Sequence, residues 1–165
     1  MGSFFPQVRT VAKNNVKKEH TQAFAFPMLE ALNNVFKKGR KKNKDQDFVA
    51  WSRIHEHDLG RNLVVELDAK NQPLSLDEIE ALNQKGKQSK RKVVVYMLTR
   101  RGCLTTTDGK YDTLKPKMRQ EIAACEKLGY EVITINPDDT YALHSSPEFC
   151  AWIAGQLGQK IRKRL

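Results

Sequence analysis

The chain predicts an α/β fold: an αβββαβ core around a mixed sheet, closed by a C-terminal helix. Three observations carry this. Residues 93–135 read strand, loop, helix, strand: Val93–Leu98 is a short β-branched and apolar run, and Glu131–Ile135 is a second one. Such a crossover is right-handed and makes its two strands parallel. Upstream, Phe48–Ile54 and Leu63–Leu67 are strand-like runs joined by a segment holding Gly60 and Asn62, which predicts an antiparallel hairpin. Apolar residues at helical spacing then place helices before the hairpin and at the end of the chain.

Taken in order, residues 1–18 are basic (Lys13, Lys17, Lys18) and weakly patterned, as in a flexible arm, and 19–165 form a single domain. Met28, Leu32, Val35 and Phe36 lie on one face of a helix running from Pro27 to Lys38 and stopping at Gly39. The run Lys37–Lys44 then holds six cations in eight residues, a solvated loop or a phosphate-contacting one. After the hairpin, Asp68–Pro73 ends the second strand. Ser75 and Glu78 form a capping box for a short helix, Leu76–Asn83. A Lys-rich linker, Lys85–Lys92, leads into the third strand. The loop Arg100–Thr113 is cationic and rich in Gly and Thr. The crossover helix ends on Gly129. Asn136–Thr140 predicts a turn. Ser146 and Pro147 open a last helix, to about Leu157, with Phe149, Trp152, Ile153 and Leu157 inward and Gly158 as its stop. Leu128 and Ile133 are expected in the core, as are Cys125 and Cys150 as small apolar residues.

Of 165 residues, 29 are Lys or Arg and 19 are Asp or Glu, a net charge of +10. Nucleic acid, an anionic surface or an acidic protein answers to that charge. No apolar run reaches the ~20 residues of a membrane span, so no membrane role is expected. No secretory signal is visible, and the myristoylation pattern fails on Pro6. Cys103, Cys125 and Cys150 are odd in number and widely spaced, which argues for a reducing compartment without disulfides.

The order of elements is that of the PD-(D/E)xK nuclease-like folds, an analogy that does not establish a reaction. Phosphodiester cleavage there needs two carboxylates holding Mg²⁺ and a nearby lysine. Asp68, or with less support Asp58 or Glu66, supplies the first carboxylate; Asp68 equally suits a turn that ends its strand. The third strand, VVVYMLT, has no acid, so a second carboxylate would have to come from Asp108, Asp112 or Glu121. Mg²⁺ is therefore expected as a cofactor only with nuclease chemistry, and otherwise none. His55 and His57 read as a polar turn rather than a metal site. Cys103, beside Arg100 and Arg101, lacks a histidine partner. Gly102 and Gly109 form no phosphate-binding motif.

Thr113–Glu121 (TLKPKMRQE) and Leu128–Ile135 (LGYEVITI) carry a resemblance. With the glycine loop before them and the proline-containing turn after, the region of about 93–157 resembles a RAP domain. Trp51–Asp58, Val65–Asp68 and Gln72–Leu74 are similar to the segment preceding that domain in the FAST kinase (FASTK) family. The resemblance covers about two-thirds of the chain. It implies an RNA-binding module of a mitochondrial factor for RNA processing or stability, located in the matrix, on a nuclease-like fold. No protein-kinase motif is present.

A basic surface for single-stranded RNA is expected from three segments. Lys90, Arg91 and Lys92 enter the third strand, Arg100 and Arg101 leave it, and Lys115, Lys117 and Arg119 occupy the first turns of the crossover helix, whose N-terminus favours phosphate. Tyr111 is placed to stack on a base, with Thr105–Thr107 as hydroxyl donors. The first two segments lie about 20 Å apart at 3.3 Å per residue, so they do not make one patch. Two alternatives remain at this level: a Mg²⁺-dependent endoribonuclease, and a module that docks on protein partners in an RNA-processing complex.

Overall fold

The structure, a computed structural model, describes residues 9–11, 26–38, 46–53, 62–98, 103–104 and 113–163. Valine-rich runs build the centre of the sheet. Strands β3 (Asn62–Leu67) and β4 (Arg91–Met97) are buried along almost their whole length, as expected of strands covered on both faces. They pair antiparallel, with Val64 opposite Val94. On one side β2 (Val49–Arg53) and then β1 (Arg9–Val11) extend the antiparallel part. On the other, β7 (Tyr130–Ile135) pairs parallel to β4, with Val95 opposite Ile133. The sheet order is β1-β2-β3-β4-β7, so the fold is mixed α/β with a mixed sheet. A separate two-stranded ribbon joins β5 (Cys103–Leu104) to β6 (Thr113–Leu114).

Period-two alternation sends the side chains of each strand to two different cores. Leu63, Val65, Val93, Val95, Ile133 and their neighbours pack under α1 (Phe26–Lys37) and α5 (Pro147–Arg162). Val64, Val94, Tyr96 and Leu98 meet Cys125 of α3 (Pro116–Lys127), with Met118 and Ile122 packed against them. The result is a helix–sheet–helix sandwich. Helix α2 (Leu76–Gln84) starts on the expected capping box: the Glu78 amide donates to Ser75 Oγ (3.2 Å) and the Ser75 amide to Glu78 Oε1 (3.4 Å). Gly129 ends α3 at φ +92°, a conformation that only glycine adopts without strain.

Five expectations are corrected. Within the supposed flexible arm 1–18, Arg9–Val11 is a strand paired to β2. The supposed turn Asn136–Thr140 is the start of α4 (Pro137–Ser145). The Asn136 side chain accepts from the Asp139 amide (2.8 Å), Pro137 fills the first helical position, and Asp138 and Asp139 complement the helix dipole. Helix α5 does not stop at Gly158 but continues to Arg162. That glycine is buried because α1 passes over it: a Cβ there would lie 2.7 Å from Val35 Cγ1. Trp152 is not inward, being 59% exposed, and Leu128 is 37% exposed, whereas Ile133, Cys125 and Cys150 are buried as expected.

Candidate nucleic-acid interface

The β4–α3–β7 crossover brings the N-terminus of α3 to the carboxyl ends of the two parallel strands, where the Leu98 amide donates to Ile135 O (2.9 Å). Lys115 is the N-cap residue and makes no side-chain capping bond. Pro116 follows at the first helical position and lacks an N–H, and the Arg119 amide closes the first turn onto Lys115 O (3.0 Å). The amides of Lys117 and Met118 therefore point out of the helix mouth. The first turn holds no acid, and Lys115, Lys117 and Arg119 are all exposed around it. The other capped helices differ: α2, α4 and α5 each have a side-chain cap (Ser75, Asn136, Ser146) and at least one acid in the first turn. Of these four helices with described caps, the mouth of α3 alone combines free amides with added positive charge, an arrangement suited to phosphate.

The basic residues at the start of β4 behave differently. Arg91 is committed to the fold. Its Nε and Nη2 donate to Glu131 Oε2 (3.0 and 2.6 Å), and its Nη1 donates to Asn71 Oδ1 and Ile161 O (both 3.0 Å). These bonds fasten β4 to β7, to the turn after β3 and to the last turn of α5, so Arg91 leaves the set of RNA candidates. Lys92 lies 5.5 Å above the Tyr130 ring and 4.0 Å from Glu66, which also accepts from Ser89 Oγ (2.7 Å). Lys90 is exposed. Arg100, Arg101, Tyr111 and Thr105–Thr107 lie outside the described residues.

Asp68 is a turn residue. Its Oδ1 accepts from the amides of Lys70 (2.8 Å) and Gln72 (3.0 Å), which folds the chain back after β3. Among the described residues, no group of three or more His, Cys, Asp or Glu side chains is placed to hold a metal ion. His55, His57, Asp58, Asp108 and Asp112 lie outside those residues. Burial raises the Cys150 thiol pKa. It also raises that of Cys125, with Glu121 and Glu126 adding to the rise against a hydrogen bond shared with the Tyr96 hydroxyl (3.3 Å), so neither thiol is an activated nucleophile. Tyr130 is pushed up to about 12, first by burial and then by Glu66 and Cys125.

Sequence reasoning missed one concave feature. A cleft of about 880 Å³ lies beside β7, between that strand and α5, lined by Ile133, Ile135, Ile153, Leu157 and Lys160 and closed by the start of α4. Its signal is visible only once β7 is known to be an edge strand. No family model, curated protein or solved structure matches this chain.

Proposed function

We propose that the chain is an RNA-binding module of the RAP type, serving a factor for mitochondrial RNA processing or stability. The observation that carries this is the uncapped, cationic N-terminus of α3 at the carboxyl ends of β4 and β7, in a chain of net charge +10. Phosphates of a single strand meet the Lys117 and Met118 amides, and Lys115, Lys117 and Arg119 supply charge around them. Arg100, Arg101 and Tyr111 follow β4 in sequence and are part of the RNA site in this reading. The RAP resemblance and the order of elements support a nuclease-like fold in this reading. Cleavage chemistry is not part of the proposal: β4 brings no carboxylate, and Asp68 is occupied with turn amides.

The test is a titration of labelled single-stranded RNA at several salt concentrations, with and without Mg²⁺, followed by a gel of the RNA. Salt-sensitive binding of RNA that stays intact is expected. Neutralising Lys115, Lys117 and Arg119 together to Gln should lower the slope of log affinity against log salt by about two. No binding at low salt, or an unchanged slope in the triple variant, would overturn the assignment. Shortened RNA that needs Mg²⁺ would establish a nuclease instead.

A further inference from the structure

Among the described residues, β7 pairs only with β4 and ends the sheet. The bond from Leu98 N to Ile135 O fixes which way its backbone points. Backbone groups alternate sides along a strand, so Glu131, Ile133 and Ile135 face β4, while Tyr130, Val132 and Thr134 turn their N–H and C=O groups to the open edge. Natural edges are usually blunted by lysine, proline or a bulge. The strand YEVITI has no lysine and no proline, is rich in β-branched residues, and is continuously paired with β4.

The cleft along this edge has an electrical direction. Helix α5 runs antiparallel to β7, because Pro147 follows α4, which leaves the end of β7, whereas the Ile161 carbonyl meets Arg91 beside Glu131 at the start of β7. Lys160 therefore flanks the start of the strand, and Asp138 flanks its end. Between them Ile133, Ile135, Ile153 and Leu157 line the cleft together with Thr134 and Gln156, and the exposed Trp152 lies one turn before Gln156 on α5.

We propose that the occupant of this edge is a second copy of the chain, whose β7 adds antiparallel about a two-fold axis near Ile133. A two-fold axis reverses the strand, so Lys160 of each copy meets Asp138 of the other, and both sheets continue as one. The same surface thus supplies both halves of each charge pair, and open backbone groups meet open backbone groups.

Sedimentation velocity over a wide concentration range tests this. The wild-type chain is expected to show a concentration-dependent dimer. Thr134→Pro removes an outward amide that β4 does not use, so it should leave a folded monomer with an unchanged circular dichroism spectrum. Lys160→Glu should weaken the dimer by about tenfold or more, and adding Asp138→Lys to it should restore association. The two charge variants keep the test decisive if Thr134→Pro fails to fold. A wild-type monomer at every concentration would overturn the proposal. So would a dimer indifferent to Thr134→Pro, or a Lys160→Glu defect that Asp138→Lys does not repair.

Discussion

Buried polar side chains show how much single residues decide here. Asn33 is 3% exposed, and its Oδ1 accepts from the amides of Phe48 (2.7 Å) and Val49 (2.9 Å), so one α1 side chain sets where β2 begins. Asn33→Ala strands both amides in the interior and should cost about 2–4 kcal/mol, read as a lower urea midpoint at constant slope. Arg91→Ala should cost about 1–3 kcal/mol while leaving the salt dependence of RNA binding unchanged, which separates its role from those of Lys115, Lys117 and Arg119. The basic run Lys90–Lys92 was legible as charge but not as an ion pair, because Glu131 lies 40 positions away and only the β4–β7 register brings it near. Tyr130 contributes a pH dependence. Its ordinary value is 10.0, and the folded state holds the proton until about 12. The unfolded chain therefore releases it first, and stability should fall as pH rises across that window. Comparing wild type with Tyr130→Phe by denaturation at several alkaline pH values checks this, since the variant should lack that part of the decline.

At the scale of elements, the legible parts were those with local causes. The valine runs of β3 and β4, the Ser75–Glu78 box and the Gly129 stop each declare themselves within a few residues. Asn136-Pro-Asp-Asp is ambiguous, because the residues that make turns are also those that start helices, and the sequence that follows does not separate the two. Gly158 was misleading for a different reason. Glycine ends helices, but it also lets two helices approach, and only the position of Val35 on α1 distinguishes these roles. Gly158→Ala should cost about 1–3 kcal/mol by driving a methyl into Val35, and the cost should shrink in a Val35→Ala background, as a double-mutant cycle in urea would show.

For the whole molecule, the mixed α/β class, the β2–β3 hairpin and the parallel β4–β7 pair followed from the sequence, and the β3–β4 pairing and the long-range joints did not. The candidate site divides in the same way. The exposed cations at the mouth of α3 were legible, because a proline-led basic helix start is a local feature, whereas the open edge of β7 is defined by sheet order, which no short stretch reveals. The Arg91 clamp joins both scales. One of its acceptors is the carbonyl of Ile161, a fully buried residue in the last turn of α5. That turn lies past the end of the region resembling a RAP domain, so a trimmed domain ending at Leu157 would lose both an arginine acceptor and a core side chain. It also bears on synthesis. The chain emerges from the ribosome N-terminus first, so the joint between β4, β7 and α5 stays open until residue 161 has left the ribosome, and the central strands wait for α5 before their Arg91 clamp is complete.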